Sequence, residues 1–217
     1  AYRIPVGKDG RIGLGLQTTI REYRADFTDE RLMATEGIDP DPAIEGDILS
    51  AWQGNTGFGA YYEQNRFFLG ASIPRFVQND LDLDGSTVEL ERETRQMYMM
   101  GGYRLDAGED WVLAPQILWR IAETAPNDLD LNLMAFYKET FQLGASVRGY
   151  NNSEEGIAES LVALFGIRPT KELSIGLAYD VTLSDLRDYE SGSLELMLRY
   201  TIHNKEKEVE ARDPRYF

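Results

Sequence analysis

The chain has 217 residues, no cysteine, one histidine and a formal net charge of -15, from 37 acidic against 22 basic residues. Disulfides and thiolate chemistry within it are excluded, a histidine triad or histidine-rich metal site nearly so, and the acidic balance opposes binding to nucleic acid or to an anionic membrane surface. No apolar run approaches the ~18 residues of a membrane-spanning helix, so a membrane role requires a closed β-barrel, which satisfies every backbone group without helices.

Alternation of apolar and polar residues, interrupted by turn-forming residues, predicts eleven strands. They lie near 1–6, 11–23, 51–63, 66–75, 94–105, 111–122, 128–138, 140–150, 156–167, 173–183 and 192–203. The opening residues Ala1-Tyr2-Arg3-Ile4-Pro5 carry no signal-peptide core. Short turns are expected at Gly7 to Gly10, Gln64-Asn65, Asp106 to Asp110, Lys138-Glu139 and Arg168 to Glu172, alternating with longer breaks near 24–50, 76–93, 123–127, 151–155 and 184–191. This alternation predicts two rims, short turns on the periplasmic side and long loops outside. Aromatic residues gather at the short turns: Tyr61, Tyr62, Phe67 and Phe68, then Tyr103 and Trp111, then Phe136, Tyr137 and Phe141. Strands favour aromatics in any case, but together with the loop asymmetry the clusters predict an interfacial girdle.

Two long breaks are acidic. The first carries Asp26, Asp29, Glu30, Glu36, Asp39, Asp41, Glu45 and Asp47, stiffened by Pro40 and Pro42. In the second, Asp80, Asp82, Asp84, Gly85 and Glu91 meet the spacing of a calcium loop, in which alternating carboxylates curl around a hard cation and a bidentate glutamate closes the shell. Leu81, Leu83 and the lack of flanking helices favour instead a solvated acidic loop, and no cofactor other than calcium is suggested. Further along, the strand faces cannot be assigned in Met97 to Tyr103 or Ile157 to Ile167, where both sides are apolar.

The last two strands show the clearest dyad. Leu173, Ile175, Leu177, Tyr179, Val181 and Leu183 share one face against Ser174, Gly176, Ala178, Asp180 and Thr182; Leu194, Leu196, Leu198, Tyr200 and Ile202 oppose Ser193, Glu195, Met197, Arg199 and Thr201. Hydrocarbon on one side and water on the other produces this pattern in an outer-membrane barrel, although half-buried strands of a soluble sandwich alternate as well. If short turns are periplasmic, the final strand ends in the periplasm and residue 1 lies outside. A single-chain barrel has an even strand number with both ends inside, so an odd number of strands is expected before Ala1. The domain reading is a transmembrane barrel portion over 1–203 and a polar periplasmic tail over 204–217. Arg120, Asp130, Arg148, Asp180, Glu195 and Arg199 are expected to face the lumen, where they either line an aqueous path or lock the wall by ion pairs.

Tyr179, Asp180, Thr182, Ser184, Asp185, Leu186, Tyr189, Gly192, Ser193 and Glu195 resemble the closing motif of the PorP/SprF family of outer-membrane proteins. Ala1 to Pro5 with Gly7 to Gly10, Gly57 to Tyr62 leading to Leu69 to Pro74, and the final Pro214-Arg215-Tyr216-Phe217 are similar to that family too, so the likeness covers essentially the whole chain. Leu194 stands where the family often has histidine, and the acidic stretches 26–47 and 80–93 have no counterpart.

The resemblance implies an all-β, antiparallel transmembrane barrel of about fourteen strands in the full protein, in the outer membrane of a Gram-negative bacterium. It implies no catalytic activity and a role in type IX secretion and gliding motility. The implied partners are a secreted surface protein with a type IX carboxy-terminal signal domain, a periplasmic OmpA-like peptidoglycan-binding protein, and outer-membrane lipid. The rival readings are a passive diffusion channel and a soluble β-sandwich binding module. Calcium titrated calorimetrically into a peptide spanning 76–93 is expected to release no heat; a saturable signal lost on Asp82→Asn would establish the metal site.

Overall fold

The computed structural model describes residues 2–26, 48–79, 94–150, 158–189 and 191–202. The calcium candidate Asp80, Asp82, Asp84 and Glu91, most of the first acidic loop, and the tail from residue 203 lie outside these. The described residues form one antiparallel sheet of twelve strands: β1 Tyr2–Val6, β2 Gly10–Asp26, β3 Ile48–Gln64, β4 Phe67–Ile73, β5 Gln96–Tyr103, β6 Leu105–Asp106, β7 Trp111–Ala122, β8 Asp128–Tyr137, β9 Phe141–Arg148, β10 Ser160–Ile167, β11 Leu173–Thr182 and β12 Ser193–Tyr200. All eleven expected strands are present and pair in sequence order. The additional two-residue β6 pairs with β7 beside the end of β5.

Turn chemistry explains this meander. Lys138 and Glu139 both adopt positive φ, 47° and 55°, and Thr140 N–H closes on the Tyr137 carbonyl at 3.0 Å, a primed turn whose twist matches that of paired strands. The β3–β4 turn is centred on Asn65-Arg66, one residue later than expected, because Gln64 still pairs with Phe67; Asn65 takes the positive φ. The strict alternation of short and long connections fails at one place. The stretch 104–110, which contains β6, is longer than its long-rim counterpart 123–127.

The sheet is inside-out relative to a soluble protein. On the apolar face Leu133, Leu143 and Phe165 are 50, 49 and 48% exposed, whereas on the other face Asp130 and Ser146 are 8 and 4% exposed. A sandwich would bury the leucines and expose the aspartate, so the exposed apolar belt decides against that rival. The register settles the two ambiguous strands: Met97, Met99 and Gly101 align with Ile121, Trp119 and Ile117 on the apolar face, and Leu161, Ala163 and Phe165 align with Val147, Ala145 and Leu143 there. Tyr98, Met100 and Gly102, with Val162, Leu164 and Gly166, therefore share the polar face.

The girdle is present with a correction. Tyr62, Phe67, Tyr103, Trp111, Tyr137 and Phe141 lie on the apolar face at the short-turn rim, where the Tyr62–Phe67 and Trp111–Tyr137 ring pairs are 5.6 and 4.9 Å apart. Tyr61, Phe68 and Phe136 alternate to the opposite face. At the far end of β7 Trp119 faces out, and on β11 Tyr179 donates its hydroxyl to Ser191 O at 3.0 Å. Trp111 and Trp119 are about 27 Å apart along an extended strand. A tilt of about 40° reduces that to roughly 20 Å along the bilayer normal, close to the apolar band of a barrel.

Neither β1 nor β12 has a second strand neighbour among the described residues, so the sheet is not closed. Its face pattern and meander are those of an outer-membrane barrel wall. Leu133→Arg, at mid-height on the apolar face, is expected to destabilise the protein by about 2–4 kcal/mol in lipid vesicles. Asn132→Ala on the other face should cost less, as read by urea unfolding from the same vesicles.

Candidate functional site

The polar face is zoned along the strands. Toward the long-loop rim it is charged. Arg120 on β7 pairs with Asp128 on β8, its register partner, and lies 3.6 Å from Asp130 two residues further along the same strand. Asp130 also accepts the Gly149 N–H at 3.2 Å, which ties the end of β9 to β8. Arg148 on β9 reaches across β10 to Asp180 on β11 at 2.8 Å. Of the six residues expected to face the lumen, these four form cross-strand ion pairs, and Glu195 and Arg199 share a cavity at the β12 end. Opposite charges on neighbouring strands brace the wall, and their fields largely cancel at its surface.

Toward the short-turn rim the same face carries more apolar side chains, among which Glu195 and Arg199 are charged. Phe68, Met100, Met134, Phe136, Leu164 and Met197 line a cavity of about 720 Å³, with Tyr61, Gln116, Asn132, Gln142 and Ser174 between them. The Tyr61 and Phe68 rings stack 5.6 Å apart. Strand alternation places these residues on the polar side of the sheet, yet the methionines and phenylalanines among them belong to no polar pattern.

Above both zones, the stem of the second long loop is fastened to the wall. The buried Asn55 carboxamide donates to Val77 O at 2.7 Å and accepts Val77 N–H at 3.1 Å, and so acts as a substitute backbone partner. Phe76 N–H bonds Thr56 O at 2.8 Å, and Asn79 bonds Gly54 O at 3.1 Å. On the other side of the stem Arg95 donates to Phe76 O at 3.1 Å, pairs with Glu123 at 3.4 Å and stacks over the Phe76 ring, while Gln78 also bonds Glu123. Thr94 and Thr124 hydroxyls join at 2.8 Å. Gly57 is required here, because a Cβ would stand 2.2 Å from Pro74 O. Sequence reading missed this knot. Its one available signal is an asparagine between glycines, Gly54-Asn55-Thr56-Gly57, inside a strand where Asn is otherwise disfavoured.

The short-turn rim is laced from turn to turn. Arg104 N–H bonds Arg66 O at 2.7 Å, Arg66 pairs with Asp106, Lys138 N–H bonds Asp110 O at 2.9 Å, and Arg168 N–H bonds Thr140 O at 2.7 Å. Among the described residues no three acidic or histidine side chains come close enough together to hold a metal ion.

The family model described as type IX secretion system membrane protein PorP/SprF matches residues 1–200. The chain belongs to the PorP/SprF family. No curated protein and no solved structure matches it significantly. Membership makes this a membrane component of the type IX secretion system, and the exposed apolar belt is the surface by which a PorP/SprF wall meets lipid.

The ion pairs are open to solvent on one side, with the Arg148 side chain 46% and the Asp180 side chain 16% exposed. A double-mutant cycle of Arg148→Met and Asp180→Asn is therefore expected to give a coupling of about 0.5–1 kcal/mol in unfolding from vesicles. A coupling near zero would remove the pair from the forces holding the wall.

Proposed function

We propose that this PorP/SprF protein is a non-catalytic outer-membrane barrel that binds secreted surface cargo, retains it at the cell, and links it to a periplasmic partner. The observation that carries the reading is the pinned loop stem. Asn55, Arg95, Glu123 and the Thr94–Thr124 bond hold the base of the acidic loop rigidly at one rim, although a loop with no task can leave its stem free. The opposite rim consists mainly of tight, interlocked turns, the arrangement expected where barrel strands reverse in the periplasm. Family membership supplies the secretion context. The cargo in this reading carries a type IX carboxy-terminal signal domain and docks on the long loops, Ala25 to Ser50 and Phe76 to Glu93. The periplasmic partner is an OmpA-like peptidoglycan-binding protein contacted by residues 204–217. Among the described residues the outer edges of β1 and β12 have no strand partner, and in this proposal pairing outside the described residues satisfies their backbone groups in hydrocarbon.

Affinity purification of the tagged full-length protein from its native membrane in mild detergent, followed by mass spectrometry, is expected to recover a large surface protein together with the OmpA-like partner. Recovery of the barrel alone, with steady ionic conductance in a planar bilayer, would favour a diffusion channel. Removal of residues 205–217 is expected to reduce recovery of the periplasmic partner several-fold while the barrel remains folded; unchanged recovery would refute the tail's part.

A further inference from the structure

On the lipid-facing side of the wall a hollow interrupts the apolar belt. Two register rows cross β8 to β11 there: Leu133, Ala145, Ala163 and Tyr179 in one, and Leu131, Val147, Leu161 and Val181 in the next row toward the long loops. Ala145 and Ala163 are direct register partners at its centre, and the exposed Leu133 and Tyr179 stand on either flank. The space between them is about 490 Å³. Asn132, Ser146 and Val162 also line it although their side chains alternate to the lumen, so the sheet backbone is its floor. All four strands are paired on both sides, and the open edges of the sheet do not create the arrangement.

The hollow has a direction. On β9, β10 and β11 the row toward the short turns is Leu143, Phe165 and Leu177, larger residue for residue than Val147, Leu161 and Val181 on the opposite side. It is therefore stopped toward the short turns and more open toward the long loops. Ala145 is four residues from Phe141 of the short-turn girdle. That is roughly 13 Å along a strand and, at a tilt of about 40°, about 10 Å along the bilayer normal. The belt is about 20 Å tall between the Trp111 and Trp119 levels, so the hollow lies at the depth reached by the chains of one leaflet.

Chemistry selects the occupant. Among the described residues no charged side chain lines the hollow, and the Tyr179 hydroxyl at its flank is already donated to Ser191 O at 3.0 Å. Polypeptide N–H and C=O groups would find no partner there, whereas hydrocarbon needs none. The face is the one that meets lipid, so the hollow continues an interface already present. Within a bilayer apolar burial gains nothing and dispersion decides; a chain between Leu133 and Tyr179 touches both flanks and the floor, more atoms than a chain on the convex belt. We propose that the Ala145–Ala163 hollow seats one acyl chain of a lipid in the long-loop leaflet, with the chain end against Phe165. The seat recognises the chain and not the headgroup, and it is independent of cargo docking.

The test uses the full-length protein reconstituted into vesicles of equal dioleoyl phosphatidylethanolamine and dioleoyl phosphatidylglycerol, transferred to mild detergent, washed, and weighed by native mass spectrometry. One phospholipid is expected to stay bound through the wash, of either headgroup alike. Ala163→Phe, whose ring fills the hollow, should reduce the retained fraction about fivefold or more, with native heat-modifiable migration on gels showing that the variant folds. Ala60→Phe, on the lipid face of β3, is the control and should leave retention unchanged. Four results would overturn the proposal: no retained lipid, equal retention by wild type and Ala163→Phe, retention of one headgroup only, or capture from the native membrane of a polypeptide that Ala163→Phe releases. The third would indicate a headgroup site and the last a protein side chain in the hollow.

Discussion

In hydrocarbon an unpaired backbone N–H or C=O costs several kcal/mol, and the continuous antiparallel ladder from β1 to β12 is the arrangement by which this chain avoids that cost. Every other feature is subordinate to it. Because the ladder satisfies the backbone, side chains on the lipid face have no hydrogen bonds to make and can be uniformly apolar. Because strand alternation is strict, the same constraint turns the remaining side chains inward, where water or ion pairs must meet them. The tight primed turn at Lys138-Glu139 and the turn-to-turn bonds along the short rim extend the ladder to its ends.

The inward face divides the work between two kinds of interaction. Near the long loops, Arg120 with Asp128 and Asp130, and Arg148 with Asp180, cross-link adjacent and next-adjacent strands. These pairs are partly hydrated, so their contribution to stability is small each, and their effect is chiefly on register, since a one-residue slip would turn one member of each pair into lipid. Near the short turns the wall relies on dispersion instead, with rings and thioethers pressed on glycines. The two zones give the lumen a chemical polarity along the bilayer normal. The pinned stem around Asn55 crowns the charged end and gives the adjoining acidic loop a fixed origin.

PorP/SprF membership and the geometry meet at this polarity. A secretion-system membrane component needs a wall that lipid can cover and turns that close its strands compactly, and the exposed apolar belt and the interlocked short turns provide both.

Much of the fold was legible because a barrel wall is a one-dimensional problem: alternation names the strands, turn residues separate them, and sequential pairing follows from short connections. All eleven expected strands are present, and the dyads of Leu173 to Leu183 and Leu194 to Ile202 point as the sequence indicates. The ion pairs were partly legible, since Arg120, Asp130, Arg148 and Asp180 fall on polar positions, but their partners depend on which residues the register places side by side. The methionine and phenylalanine zone was not legible, because Met97 to Tyr103 is apolar on both sides and period two carries no phase there. Neither was the Asn55 knot, whose partners come from a loop stem distant in sequence. Local pattern determined that this chain makes strands and where they end; only the register of neighbouring strands decided which side chains meet.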